Sequence, residues 1–263
     1  MLADLSPARR RLVRTLLGLL GVGVLAAVAL GVRLLVGGEV APVPQDEPGP
    51  VLVVPGYGGS TASVQPLAQA LEESGRDVTV VELAGDGTGD LAVQAEVLAD
   101  AAEEAMARTG AGSVDVVGYS AGGVVARLWV RELDGAGVAR RVLMLGTPNH
   151  GTDVARLAGA FVPRGCPTAC EQLAPDSELL RRLNAGDETP AGPVFVAVWT
   201  TRDEVVVPPE SAVVDGGLNL AVQDVCPASD VMHGGLPGEP AVEAILSSTL
   251  GVSPPTAPSA CPV

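Results

Sequence analysis

From residue 51 onward, short apolar runs rich in Val and Leu alternate with longer stretches in which apolar positions recur at helical spacing. The runs 51–54, 78–83, 114–117, 142–145, 194–199 and 218–222 read as strands, each short and bounded by turn-forming or polar residues. The stretches 64–74, 91–109, 122–133, 176–184 and 241–250 read as helices. Strands alternating with helices predict an α/β architecture, a mainly parallel sheet with helices on both faces. Ligands of such sheets sit beyond the carboxyl ends of the strands, so the loops following the strands are where chemistry is expected.

The most informative loop follows the third strand, where Gly118-Tyr119-Ser120-Ala121-Gly122 runs directly into an apolar helix. A G-x-S-x-G placed between strand and helix lifts the serine hydroxyl on a sharp turn, with glycines on either side permitting close backbone approach. The free amides and dipole at the helix start favour negative charge developing beside that serine. A second glycine-rich turn, Pro55-Gly56-Tyr57-Gly58-Gly59, ends the first strand and suits an oxyanion-binding loop. The amides of Tyr57 and Ala121 are the expected oxyanion donors. A phosphate cradle is disfavoured, because the Lys-Ser/Thr ending of a P-loop is missing.

The chain has only two histidines, His150 and His233. For a serine of this kind the partners follow in the order Ser, Asp or Glu, His, which selects His233. His150 reads as a structural residue, with a place lining the pocket left open. The acid belongs after the strand 194–199, where Arg202-Asp203-Glu204 occurs, and Asp203 is the choice, with Glu204 an adjacent substitute. Such an acid would hold the imidazole tautomer and stabilise its cation.

With these segments in place, the stretch from 51 to 250 resembles the bacterial lipases and esterases of the α/β-hydrolase superfamily, especially secreted actinobacterial triacylglycerol lipases and small Bacillus-type lipases. The resemblance rests on the two glycine-rich turns, on Leu145-Gly146-Thr147-Pro148-Asn149-His150-Gly151-Thr152, on the Asp203 loop and on His233-Gly234-Gly235-Leu236. Pro55 stands where that family often has His. The resemblance implies an α/β-hydrolase fold, and the stretch from Thr147 to Pro193 leaves only modest room for a lid, so a small or absent one is expected. The resemblance also implies lipid-type ester hydrolysis through an acyl-enzyme on Ser120, with no metal or organic cofactor. A thioesterase, amidase or acyltransferase would reuse the same triad, and a binding module that keeps the fold without catalysis is the rival from outside enzymes.

Composition narrows the setting. The 31 acids outnumber the 16 basic residues for a net charge of -15, which argues against nucleic acid as a partner. With aromatics at 2%, an apolar pocket must be lined by aliphatic side chains. Arg9, Arg10, Arg11 and Arg14 precede an uncharged apolar run over 16–32, which reads as a transmembrane anchor or a signal segment. The anchor is preferred because Arg33 and further apolar residues follow in place of a clear cleavage site, and the positive-inside rule puts the remainder outside the cytoplasm. The expected layout is a cytoplasmic basic segment 1–14, an anchor or signal 15–36, a linker 37–50, a catalytic domain 51–250 and a Pro-rich tail 251–263. A monomer is expected, contacting the membrane through its N-terminal segment. Cys166, Cys170, Cys226 and Cys261 all follow that segment and so read as two disulfides. Of three pairings, Cys166–Cys170 with Cys226–Cys261 is favoured because it leaves no crossing connections.

Overall fold

The computed structural model describes residues 40–161 and 165–262. The apolar run over 16–32, read as an anchor or signal, lies outside them, and among the described residues no helix is long and apolar enough to cross a membrane.

The strands are Val51–Val54 (β1), Val78–Val80 (β2), Val114–Tyr119 (β3), Ala139–Leu145 (β4), Val194–Trp199 (β5) and Leu218–Ala221 (β6). They form one six-stranded sheet in the order β2-β1-β3-β4-β5-β6, with every neighbouring pair parallel. Parallel strands need covering crossovers on both faces, and the strand side chains divide accordingly. Leu52, Val54, Val116, Val142, Met144 and Ala197 face one layer. There they meet Leu91–Thr109 (α2) and Ala121–Glu132 (α3), through residues such as Leu98, Val124 and Leu128. Val51, Val53, Val117, Leu143, Leu145 and Val198 face the other layer. They meet Leu67 and Leu71 of Gln65–Glu73 (α1), and Val242, Ile245 and Leu246 of Pro240–Thr249 (α8). Local chemistry sets the ends of α2: the Asp90 side chain accepts from the Ala92 N–H, and Gly110 closes the helix with φ 72°.

Three differences from the sequence reading have physical causes. First, β4 starts at Ala139, upstream of the run 142–145, because Arg140 and Arg141 are fully buried strand residues. Asp115 on β3 accepts from Arg140 Nε at 2.9 Å and from Arg76 at 2.6 Å. Further guanidinium nitrogens of Arg76, Arg140 and Arg141 donate to the carbonyls of Gln45, Gly49, Thr249, Leu250, Gly251 and Ser253. Second, therefore, parts of the stretches read as linker and tail are tied to the amino ends of the central strands. Third, the described residues of the β4–β5 connection hold three short helices, Asp153–Phe161 (α4), Thr168–Gln172 (α5) and Glu178–Leu183 (α6), of which the periodicity marked only the last. Helix α4 carries apolar residues at helical spacing, Val154, Leu157 and Ala158, but over nine residues only, short of the window of about 11–18 residues in which that spacing distinguishes a helix.

Removing one partner of a buried ion pair strands the other charge. Asp115→Ala is therefore expected to lower the unfolding free energy by about 3–5 kcal/mol in chemical denaturation. A loss under about 1 kcal/mol, the size of an exposed pair, would show that the carbonyls alone satisfy the arginines.

The described cysteines pair as Cys166–Cys170 and Cys226–Cys261. The first lies against α4, with Cys166 Sγ 3.9 Å from the carbonyl of Ala155; the second fastens the tail to the end of the short helix Val222–Val225 (α7). Two disulfides fit maturation in an oxidising, extracytoplasmic compartment.

Candidate active site

Between the last residue of β3 and the first of α3 the chain has a single residue to turn in, and that residue is Ser120. It adopts φ 52° and ψ -125°, a conformation that side-chain-bearing residues rarely accept. The neighbouring glycines are required by close approach. A Cβ on Gly118 would lie 2.5 Å from the Gly122 carbonyl oxygen, and one on Gly122 would overlap the Val54 carbonyl and lie 2.6 Å from that of Pro55. One on Gly123 would overlap the Thr147 side chain. Because the obstacles to Gly122 are backbone atoms of β1, Gly122→Ala is expected to cost about 3 kcal/mol of stability in a denaturation experiment. An unchanged midpoint would mean that α3 can back away from β1 freely.

Two loops from distant parts of the chain converge on this turn. His233 opens a 3-10 turn, His233–Gly238, and points Nε2 at Ser120 Oγ, 3.0 Å away. Its Nδ1 lies 2.8 Å from Asp203 Oδ2, on the loop after β5. The other carboxylate oxygen, Oδ1, accepts from the amides of Val205 at 2.9 Å and Val206 at 2.7 Å. Both oxygens are thus engaged, and the carboxylate faces the imidazole in one orientation. With a carboxylate beside Nδ1, the proton of the neutral ring belongs on Nδ1, which leaves Nε2 to accept from the serine hydroxyl. Asp203 and His233 are buried and Ser120 is half-buried, so the chain of hydrogen bonds is shielded while the hydroxyl stays reachable.

Further contacts fix His233 in place. Its main-chain N–H donates to Glu204 Oε2 at 3.0 Å, and its carbonyl accepts from the Tyr119 hydroxyl at 3.1 Å. The Tyr119 ring lies against the imidazole, with centroids 5.2 Å apart. Burial, helped by the charges of Asp203 and Glu204, pushes the Tyr119 hydroxyl up to about 12, so it remains a donor at neutral pH. Gly146 approaches from the side, and a Cβ there would come 3.3 Å from the imidazole.

The loop after β1 packs on the same turn, since a Cβ on Gly56 would lie 2.9 Å from that of Ser120. In this loop Gly58 and Gly59 donate to the carbonyls of Gly87 and Gly56, whereas the Tyr57 N–H has no acceptor among the described residues. Ala121 occupies the first position of α3, where amides lack helical partners. The two expected oxyanion donors therefore come from the loop after β1 and from the start of α3.

His150 stands apart from this assembly. Its side chain is 42% exposed and pairs with Glu188 at 2.8 Å, and its amide donates to the Ser211 carbonyl. Arg202 is exposed. The contacts that sequence reasoning missed are the main-chain grips of Tyr119 and Glu204 on His233, and the buried Arg127 of α3. The Arg127 guanidinium donates to Asn149 at 3.3 Å, and burial pulls it down to about 10. No periodic pattern marks any of the three.

Several apolar side chains are exposed on the loops that carry Gly56, Asp203 and His233. Tyr57, Val205 and Met232 are exposed there, and Val154 and Leu157 of α4 are exposed as well. Val154 and Val205 meet at one group, since the Thr152 hydroxyl accepts from the Val154 amide at 3.2 Å and donates to the Val205 carbonyl at 2.6 Å. Tyr57 and Met232 adjoin Gly56 and His233 in sequence.

Residues 49–168 match the family model of the alpha/beta hydrolase fold. Among solved structures, lipase B of Aspergillus fumigatus is similar at 21% identity and a TM-score of 0.66, over 77% of this chain and 52% of that one. Lipase BlEst2 of Bacillus licheniformis in its mature form matches at 18% identity and a TM-score of 0.60, over 75% of this chain and 89% of that one. Its propeptide form matches at 17% identity and a TM-score of 0.67, over 83% and 53% respectively. The chain thus spans about half the length of the Aspergillus lipase and of the propeptide form. No curated protein sequence matches it significantly. Together with the six-stranded parallel sheet, these likenesses identify the α/β-hydrolase fold, and they support a hydrolase.

Proposed function

We propose that this protein is a serine carboxylic-ester hydrolase acting on lipid-type esters, with Ser120 as nucleophile, His233 as general base and Asp203 as the acid that orients it. The observation carrying this reading is the pair of contacts at His233, 3.0 Å to the Ser120 hydroxyl and 2.8 Å to the Asp203 carboxylate, at a strained strand-to-helix turn.

In this reading Ser120 Oγ attacks the ester carbonyl carbon as its proton passes to His233 Nε2. Asp203 stays ionised and stabilises the imidazolium. The carbonyl oxygen gains negative charge and is met by the amides of Tyr57 and Ala121. The C–O bond to the alcohol then breaks, and the leaving alkoxide takes the proton from Nε2. Water repeats the sequence on the acyl-enzyme, giving up its proton to Nε2, and Ser120 departs with that proton restored. No step requires a metal or organic cofactor.

Lipid-type substrates are supported by the exposed apolar residues Tyr57, Val205 and Met232, carried on the loops that hold the oxyanion donor, the acid and the base, which favour apolar acyl chains over polar ones. The arginines and apolar run of the N-terminal segment support tethering at a membrane, with the catalytic domain on the extracytoplasmic side. A chain-length series of p-nitrophenyl esters tests the substrate class. The expected result is a kcat/KM that rises from acetate to octanoate by about tenfold or more, since each buried methylene contributes about 0.8 kcal/mol. A preference for acetate would overturn the lipid-type assignment and leave a short-chain esterase.

A further inference from the structure

Building on the triad reading above, we propose that Tyr119 and Glu204 are positioning residues for the His233 imidazole. Each grips the main chain of the residue whose side chain is engaged by its own sequence neighbour. Tyr119 precedes Ser120: its hydroxyl donates to the His233 carbonyl at 3.1 Å, while Ser120 Oγ meets Nε2 at 3.0 Å. Glu204 follows Asp203: its Oε2 accepts from the His233 N–H at 3.0 Å, while Asp203 Oδ2 meets Nδ1 at 2.8 Å. Two dipeptides, one at the end of β3 and one after β5, therefore each hold His233 by both side chain and main chain.

This matters because His233 follows a loop and not a strand. Met232, immediately before it, is 51% exposed, and the 3-10 turn it opens is six residues long. The bond to Asp203 restrains one ring nitrogen but does not stop the backbone carrying the whole residue away from Ser120. Pinning its carbonyl to β3 and its amide to the β5 loop ties the base to the same two elements that carry the nucleophile and the acid. The Tyr119 ring, with its centroid 5.2 Å from that of the imidazole, further limits rotation. Glu204, adjacent to the acid, is thereby engaged with the His233 main chain and is not a free substitute for Asp203.

The test compares Tyr119→Phe, Glu204→Ala and Glu204→Gln in two backgrounds, wild type and His233→Ala, with kcat and KM measured on an activated ester and folding followed by thermal melting. In the wild-type background, Tyr119→Phe and Glu204→Ala should each lower kcat by about tenfold, a fraction of the cost of a full ångström of misplacement. KM should hold within about twofold, as for interactions made only in the transition state. Glu204→Gln should retain most of the activity, because its amide oxygen can still accept from the His233 N–H.

In the His233→Ala background the main-chain N–H and carbonyl remain, so the Tyr119 and Glu204 hydrogen bonds persist without a base to position. There Tyr119→Phe and Glu204→Ala should leave the residual turnover unchanged. Unaltered kcat for both in the wild-type background would overturn the proposal, as would the same loss with or without the imidazole, which would mark a structural role. Turnover that survives Ser120→Ala would sink the triad reading itself, a separate outcome.

Discussion

Ser120→Ala is expected to lower ester turnover by about a millionfold, the cost of removing the nucleophile from a triad that works as a unit. Folding should be retained, because the turn at residue 120 is dictated by the glycines around it as much as by the serine. Strain at φ 52° is common to Ser and Ala, so the stability difference is the hydrogen bond to His233 Nε2, worth about 1 kcal/mol. The measurement is kcat on a p-nitrophenyl ester alongside the unfolding midpoint. A residual rate within about tenfold of wild type, far above what an oxyanion site alone sustains, would show that another residue attacks.

Asp203→Asn should be nearly as damaging, with a loss of about 10^4-fold in kcat, for a reason specific to this loop. Oδ1 of Asp203 is held by the amides of Val205 and Val206, so the amide oxygen of the replacement stays there and its NH2 group turns toward His233 Nδ1. Nδ1 must then act as an acceptor, which places the ring proton on Nε2, facing Ser120 Oγ. That tautomer cannot take the serine proton. KM and stability should change little, since size and hydrogen-bond count are kept. A loss smaller than about tenfold would contradict the tautomer argument and point to Glu204 as the effective acid.

The parts of the site that the sequence made legible are those with a local grammar. Gly118-Tyr119-Ser120-Ala121-Gly122 is readable because a strand-to-helix turn with no spare residue needs small neighbours, and the structure shows what those glycines avoid: the Gly122 carbonyl for Gly118, and the Val54 and Pro55 carbonyls for Gly122. His233 could be singled out because the chain has only two histidines and chain order selects the later one. The Asp203 loop was legible as the turn after an apolar strand, although the choice between Asp203 and Glu204 rested on no pattern; the hydrogen bonds to Nδ1 and to the His233 main chain distinguish them.

What stayed hidden depends on tertiary contacts that leave no periodic trace. Arg140 and Arg141 look like the end of a loop, because paired charges rarely lie inside a central strand. They are buried at 0% exposure only because Asp115 and a ring of carbonyls from both chain ends receive them. Helix α4 is hidden by its length, since its apolar spacing at Val154, Leu157 and Ala158 runs for little more than two turns. Tyr119 reads as the variable residue of the G-x-S-x-G turn, and nothing in its neighbours announces that its hydroxyl reaches a residue 114 positions away.

An acyl-enzyme formed on Ser120 requires that the purified protein react there with a fluorophosphonate, which mass spectrometry of the modified peptide reads out. One phosphonate per chain is expected, located on Ser120, with ester turnover falling as label is gained and labelling strongly slowed in His233→Ala. A folded protein that takes no label, or takes it elsewhere while still turning over esters, would contradict an acyl-enzyme on Ser120.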